Sequence, residues 1–97
     1  MRNMRRNRLL GKIVNDLRKN GARKIILFGS YAKHIETPKS DIDIIVDFKD
    51  KKSFLDLVRI ERELSEKSGV KVDLLTKKSV SPLIMDTIKN EMEVIYG

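Results

Sequence analysis

LFGSYAKHIETPKSDIDIIVDF, from Leu27 to Phe48, decides how this chain folds. An apolar run closes on Gly29-Ser30, a polar stretch from His34 to Ser40 carries Thr37-Pro38, and a second apolar run opens with Asp41-Ile42-Asp43. In the second run, alternation puts Ile42, Ile44, Val46 and Phe48 on one face and Asp41, Asp43, Ile45 and Asp47 on the other. That is the pattern of a strand with one buried face and one chemically loaded face. The first run, Lys24 to Phe28 (KIILF), reads as a buried strand. Between them, Ser30 to Lys33 reads as one helical turn capped by Ser30, and His34 to Ser40 as loop.

The same logic extends to both sides. Leu9, Leu10, Ile13, Val14 and Leu17 recur at helical spacing, and Asn20-Gly21 stops that helix. Ser53 to Lys67 is a second helix, with Phe54, Leu57, Val58, Ile60 and Leu64 as its apolar stripe and Ser68-Gly69 as its end. In a third strand, Val70 to Thr76, Val70, Val72 and Leu74 face the core while Lys71, Asp73 and Leu75 face away. Pro82 suits the first turn of a helix running to about Asn90. Met92 to Tyr96 is a short strand or a packed tail. The sequence thus predicts one α+β domain over residues 1–97, a small mixed β-sheet layered with helices.

Composition narrows the chemistry. Ninety-seven residues, 40% of them hydrophobic and 36% charged, give one modest core. No apolar run approaches the roughly 20 residues of a membrane span. The arginines at the start lack the apolar stretch of a secretory signal. Without cysteine and with a single histidine, thiolate and His-rich zinc sites are excluded, and an intracellular, cytoplasmic protein is the fitting expectation. Any metal has to be held by carboxylates, which favours magnesium or manganese. The net charge of +7 invites phosphates. Arg2, Arg5, Arg6, Arg8 and Lys12 crowd the start, but aromatic residues are only 5% and no basic, aromatic strand offers to stack bases. RNA is therefore a weaker expectation than ATP or an acidic partner.

Asp41 and Asp43 lie two apart on one strand face, about 6.6 Å along the backbone. Carboxylates at that spacing can converge on one magnesium ion or bridge two ions about 3.5–4 Å apart. Asp73 has the matching orientation on the third strand. Taken alone, the pair reads equally as a solvated sheet face; a Gly-Ser turn just upstream changes that. Gly29 permits close backbone approach, and Ser30 presents a hydroxyl and N–H groups at a helix start, although any isolated Gly-Ser is an ordinary cap after a turn. Lys33 reaches for a phosphate or is simply solvated, Asp47 is a rim residue, and His34 belongs to the loop surface.

With these residues in place, the chain resembles the nucleotidyltransferase superfamily that includes DNA polymerase β, and within it the minimal nucleotidyltransferases. The match is Phe28-Gly29-Ser30, ten intervening residues, Asp41-Ile42-Asp43, then Asp73 in VKVDLLT and the closing VIYG. The resemblance implies the polymerase β-like fold, with helices packed on one side of the sheet. It implies that Gly29, Ser30 and Lys33 bind nucleotide phosphates, that Asp41, Asp43 and Asp73 serve as metal ligands for two magnesium ions, and that Asp73 also prepares the attacking hydroxyl. It further implies an antitoxin that transfers AMP from ATP to a tyrosine of a helical HEPN-type toxin. Two other readings stay open at this point: transfer to RNA or a small molecule, and an antitoxin that neutralises its partner by contact alone. The chain departs from the family at His34, where a glycine commonly follows the basic residue.

Overall fold

The computed structural model describes residues 4–97. Of the N-terminal basic cluster, Arg2 lies outside the described residues. The elements run α1 (Met4–Lys19), β1 (Ala22–Phe28), α2 (Gly29–Ala32), β2 (Ile42–Phe48), α3 (Phe54–Ser68), β3 (Val72–Thr76), α4 (Pro82–Ile88) and β4 (Glu93–Tyr96), with 3₁₀ turns at Lys77–Ser79 and Lys89–Glu91. The stop signals act as expected: Gly21 (φ 92°) follows α1, and Gly69 (φ 73°) closes α3 in the left-handed conformation glycine tolerates. Ser53 starts α3 with a reciprocal capping box to Asp56, and Ser81 caps α4 ahead of Pro82.

The four strands form one mixed sheet in the order β3-β2-β1-β4. β1 is antiparallel to both β2 and β4, while β2 and β3 are parallel, which is why α3 must intervene between them. Of the two readings for Met92 to Tyr96, a short strand or a packed tail, the strand holds from Glu93 onward, paired along Leu27↔Glu93 and Ile26↔Val94.

Alternation sorts the faces as the sequence predicts. Ile25, Leu27, Ile42, Ile44, Val46 and Val72 are buried against Leu10, Ile13 and Leu17 of α1 and Ile60 and Leu64 of α3. On the second face Ile26 and Ile45 are also buried. Residues 77–92 connect β3 at one edge of the sheet to β4 at the other, while α1 and α3 pack on the first face. One expectation fails. Phe54 and Val58 were to join the buried stripe of α3, but Phe54 is 77% and Val58 43% exposed. Only the C-terminal part of α3, from Ile60 onward, seats fully on the sheet; in its first two turns Leu57 packs partly against the core while Phe54, Leu55 and Val58 stay largely in water.

Candidate active site

β1 runs toward its end at Phe28 while β2 and β3 run away from the same end, so register fixes who meets there. Phe28 stands opposite Asp43, and Asp43 opposite Asp73. Asp41 lies one residue before β2 begins. The Gly-Ser turn comes immediately off β1, with Gly29 at φ 72°. It passes so close to β2 that a Cβ built on Gly29 would collide with the Asp43 carboxylate. Glycine is thus required twice, for its dihedral angle and for its missing side chain.

Crowding has an electrostatic signature. The Asp43 carboxyl is pushed up from 3.8 to about 6, first by burial, then by neighbouring Asp73 and by Asp41, with Lys71 pulling the other way. Lys71 Nζ sits 4.0 Å from Asp73 Oδ1 on the exposed edge strand. Among the described residues no three carboxylate, imidazole or thiolate groups are gathered tightly enough to enclose an ion by themselves. Magnesium does not require such a cage, since it keeps several waters and takes one or two carboxylates together with substrate phosphates. The donors fit that ion: hard oxygens held against their own repulsion, with Asp43 and Asp73 side by side and Asp41 within electrostatic reach.

Three details of the turn differ from expectation. Ser30 does not cap α2, which begins at Gly29 with Phe28 in the cap position; the left-handed Gly29 bends the chain one residue earlier. A single turn also sums little dipole, so the N–H groups and the hydroxyl of Ser30, rather than a macrodipole, are what the turn offers an anion. Lys33 is held by Glu91, Nζ to Oε1 at 2.9 Å, and in this arrangement its charge is directed to the 3₁₀ turn before β4. Asp47 keeps to the rim, bonded to Arg23 at 3.0 Å.

A residue that local pattern does not single out also matters. Arg6 donates from Nη2 to the Tyr31 carbonyl of α2 (2.8 Å) and from Nε to Glu36 (3.0 Å). Glu93 Oε2, buried, lies 3.5 Å from both Arg6 Nη2 and His34 Nε2, without hydrogen-bond geometry to either. Arg6 therefore fastens α1, the Gly-Ser turn and β4 together. His34 adopts φ 60°, the left-handed conformation that a glycine takes readily. His34 holds this conformation at a cost in strain that a glycine would not carry.

A Gly-Ser turn set against Asp43 of β2, with Asp41 just ahead of that strand and Asp73 on the adjacent one, matches a known pattern along the chain. The sequence profile of the family described as "Polymerase beta, Nucleotidyltransferase" matches residues 11–97. The chain belongs to that family. This nucleotidyltransferase is 47% identical over 85 residues to a protein of Methanocaldococcus jannaschii provisionally named a protein adenylyltransferase, covering 88% of this chain and 91% of the relative. In three dimensions it is similar to a chain of a toxin–antitoxin complex solved with AMP-PNP (TM-score 0.80, 28% identity, 90% of this chain and 72% of that one). It is also similar to a chain of the complex between a tri-AMPylated Shewanella oneidensis HEPN toxin and its MNT antitoxin (TM-score 0.76, 26% identity, 97% and 73%). These likenesses make the α+β sheet of this enzyme the polymerase β-like nucleotidyltransferase fold. None of its described helices is long and apolar enough to cross a membrane.

Proposed function

We propose that this nucleotidyltransferase moves AMP from ATP to a tyrosine hydroxyl of a HEPN-type toxin partner in the cytoplasm, and so acts as the antitoxin of a pair. The observation that carries the reading is the contact between Gly29 and Asp43, which sets a phosphate-gripping turn directly against the carboxylates. In this account the N–H groups after Gly29 and the hydroxyl of Ser30 hold the β- and γ-phosphates. Lys33 joins them by leaving Glu91. Asp41 and Asp43 would hold magnesium, with Asp73 completing the set; bound there, the ion neutralises the triphosphate and stabilises the leaving pyrophosphate.

Asp73, on the edge strand and half exposed, is the carboxylate an incoming acceptor meets. It orients the hydroxyl and accepts its proton as the oxygen attacks the α-phosphorus in line. The bond from that phosphorus to the bridging oxygen breaks, pyrophosphate departs, and AMP stays on the acceptor. The AMP-PNP and AMPylated-toxin complexes of similar chains support the choice of ATP and of a toxin as acceptor.

The test is transfer of label from ATP tagged at the α-phosphate, with magnesium, in lysate from the native host, comparing the wild type with Asp43→Asn. Label on one small protein with the wild type alone is the expected result, and mass spectrometry of that protein names the modified residue. Label on RNA instead would move the acceptor to nucleic acid. No label with ATP still bound would make neutralisation by contact the better account.

A further inference from the structure

The far end of the sheet carries a surface that nucleotidyl transfer does not use. Where β2 and β3 end, a cavity of about 280 Å³ is ringed by Arg23, Lys49, Lys51, Lys52, Lys77 and Lys78. Six cations there face only Asp47 and Asp50, an excess of four out of the chain's +7. Immediately beside it lies a second, largely apolar cavity of about 330 Å³ between the start of α3 and β3, lined by Phe54, Val58 and Leu75 among others. Leu57 and Thr76 line both, so the two are one continuous groove. Phe54 and Leu55 are 77% exposed, and Val58 and Leu75 43%. Three large exposed apolar side chains lining the groove, Phe54, Val58 and Leu75, beside such a charge excess mark an interaction surface.

We infer that this groove docks an amphipathic protein helix, its apolar stripe seated between α3 and β3 and an acidic flank laid along the lysines. Charge complementarity selects the occupant. A nucleic acid would engage the cations but leave Phe54, Val58 and Leu75 in water, and the aromatic ring beside the lysines, Phe48, is already covered by Lys52 at 5.5 Å. A second copy of the chain pairing this face with itself about a two-fold axis would set one lysine cluster against the other. A bilayer presents a flat surface, whereas a concave groove accepts a ridge. A helix with apolar residues at i, i+3, i+4 and i+7 and carboxylates alongside satisfies both halves at once.

Docking here has a consequence for the chemistry, which rests on the function proposed above. Leu75 projects from the same face as Asp73, two residues along β3. A partner held against Leu75 therefore lies beside the carboxylate assigned to its hydroxyl, and the groove selects which protein is modified.

The probe is a fluorescent helical peptide of about five turns, with leucines on one stripe and glutamates on one flank, titrated with the whole chain and followed by anisotropy. Its control has every glutamate replaced by lysine. The acidic peptide is expected to bind at micromolar concentrations, roughly tenfold or more tighter than the control, and more weakly as salt rises. Phe54→Ser and the pair Lys52→Glu/Lys78→Glu are each expected to weaken it roughly tenfold, with unchanged melting curves and unchanged binding of magnesium-ATP. Equal affinity for both peptides, no binding of either, or binding indifferent to these variants overturns the inference. So does poly(U) RNA or a phosphatidylserine vesicle binding through the same residues in place of the peptide, or a dimer in sedimentation that the variants dissolve. Loss of ATP binding in the wild type, with peptide binding intact, would count against the proposed chemistry and leave the docking surface standing.

Discussion

The two ends of β2 concentrate opposite charges under different conditions. At its start, Asp43 is half-buried with Asp73 and Asp41 near it, and repulsion adds to desolvation to lift its carboxyl to about 6. At its far end the lysines stand exposed around an open cavity, where water and salt screen them. Like charges cost little on the surface and much more when partly dehydrated. The acidic end is therefore a strained arrangement that a bound cation would relieve, and the basic end an unstrained one whose excess charge an anionic partner would match. The contrast can be broken or sharpened one residue at a time.

The largest effect belongs to Asp43→Asn, which is expected to reduce AMP transfer by about a thousandfold or more, read by α-phosphate labelling. Gly29→Ala comes next. Its methyl group has to displace the Asp43 carboxylate at a backbone angle that disfavours any side chain, so a stability loss of about 1–3 kcal/mol and a clear fall in kcat/KM for ATP are expected. Thermal melts beside ATP kinetics would separate the two.

The pH dependence follows from the sign of the Asp43 shift. The unfolded carboxyl titrates near 3.8 and the folded one near 6, so between those values the native state holds more protons. Stability in a metal-free buffer is therefore expected to fall as pH rises through that window, relative to Asp43→Asn. Melting temperatures from pH 4 to 7 in a chelator would show the two curves together at the acid end and the variant higher above pH 6. Magnesium should narrow that gap by raising the wild type.

A smaller gain is expected from His34→Gly. Removing the left-handed strain of about 1–2 kcal/mol outweighs the added freedom of the unfolded chain by about 0.5 kcal/mol, measurable by urea denaturation. Smallest of all is Arg23→Ala at the basic end. Its bond to Asp47 lies at the surface, so stability should move by less than about 0.5 kcal/mol, read by thermal melts, and labelling should fall only as far as one of six groove cations contributes to docking.

What the sequence made legible is what local periodicity and local chemistry encode. Alternation in DIDIIVDF separated Ile42, Ile44 and Val46 from Asp41 and Asp43, and Gly21, Gly69 and Pro82 marked element ends because their backbone preferences are intrinsic. The same reading misassigned Phe54 and Val58, since helical periodicity identifies an apolar side without saying how far along the helix a neighbour extends. Ser30 was misread as a cap because the turn depends on Gly29 passing Asp43, a contact between strands. Arg6 looked like one more surface cation. Its partners lie 25 and 30 residues away, and no local pattern announces them. For Lys33 the sequence leaves phosphate and solvent both open, and it offers no sign of Glu91, which chain reversal brings to it.

The fastening of the Gly-Ser turn through Arg6 and Glu93 sets an order of assembly. α1, the turn and the carboxylate strands all emerge from the ribosome before β4 does. Until Glu93 arrives to pair β4 with β1 and come within 3.5 Å of Arg6 and His34, Arg6 holds the turn through Tyr31 and Glu36 alone. A nascent chain can thus acquire its carboxylates early, while the Gly-Ser turn takes its final setting only after β4 has been translated.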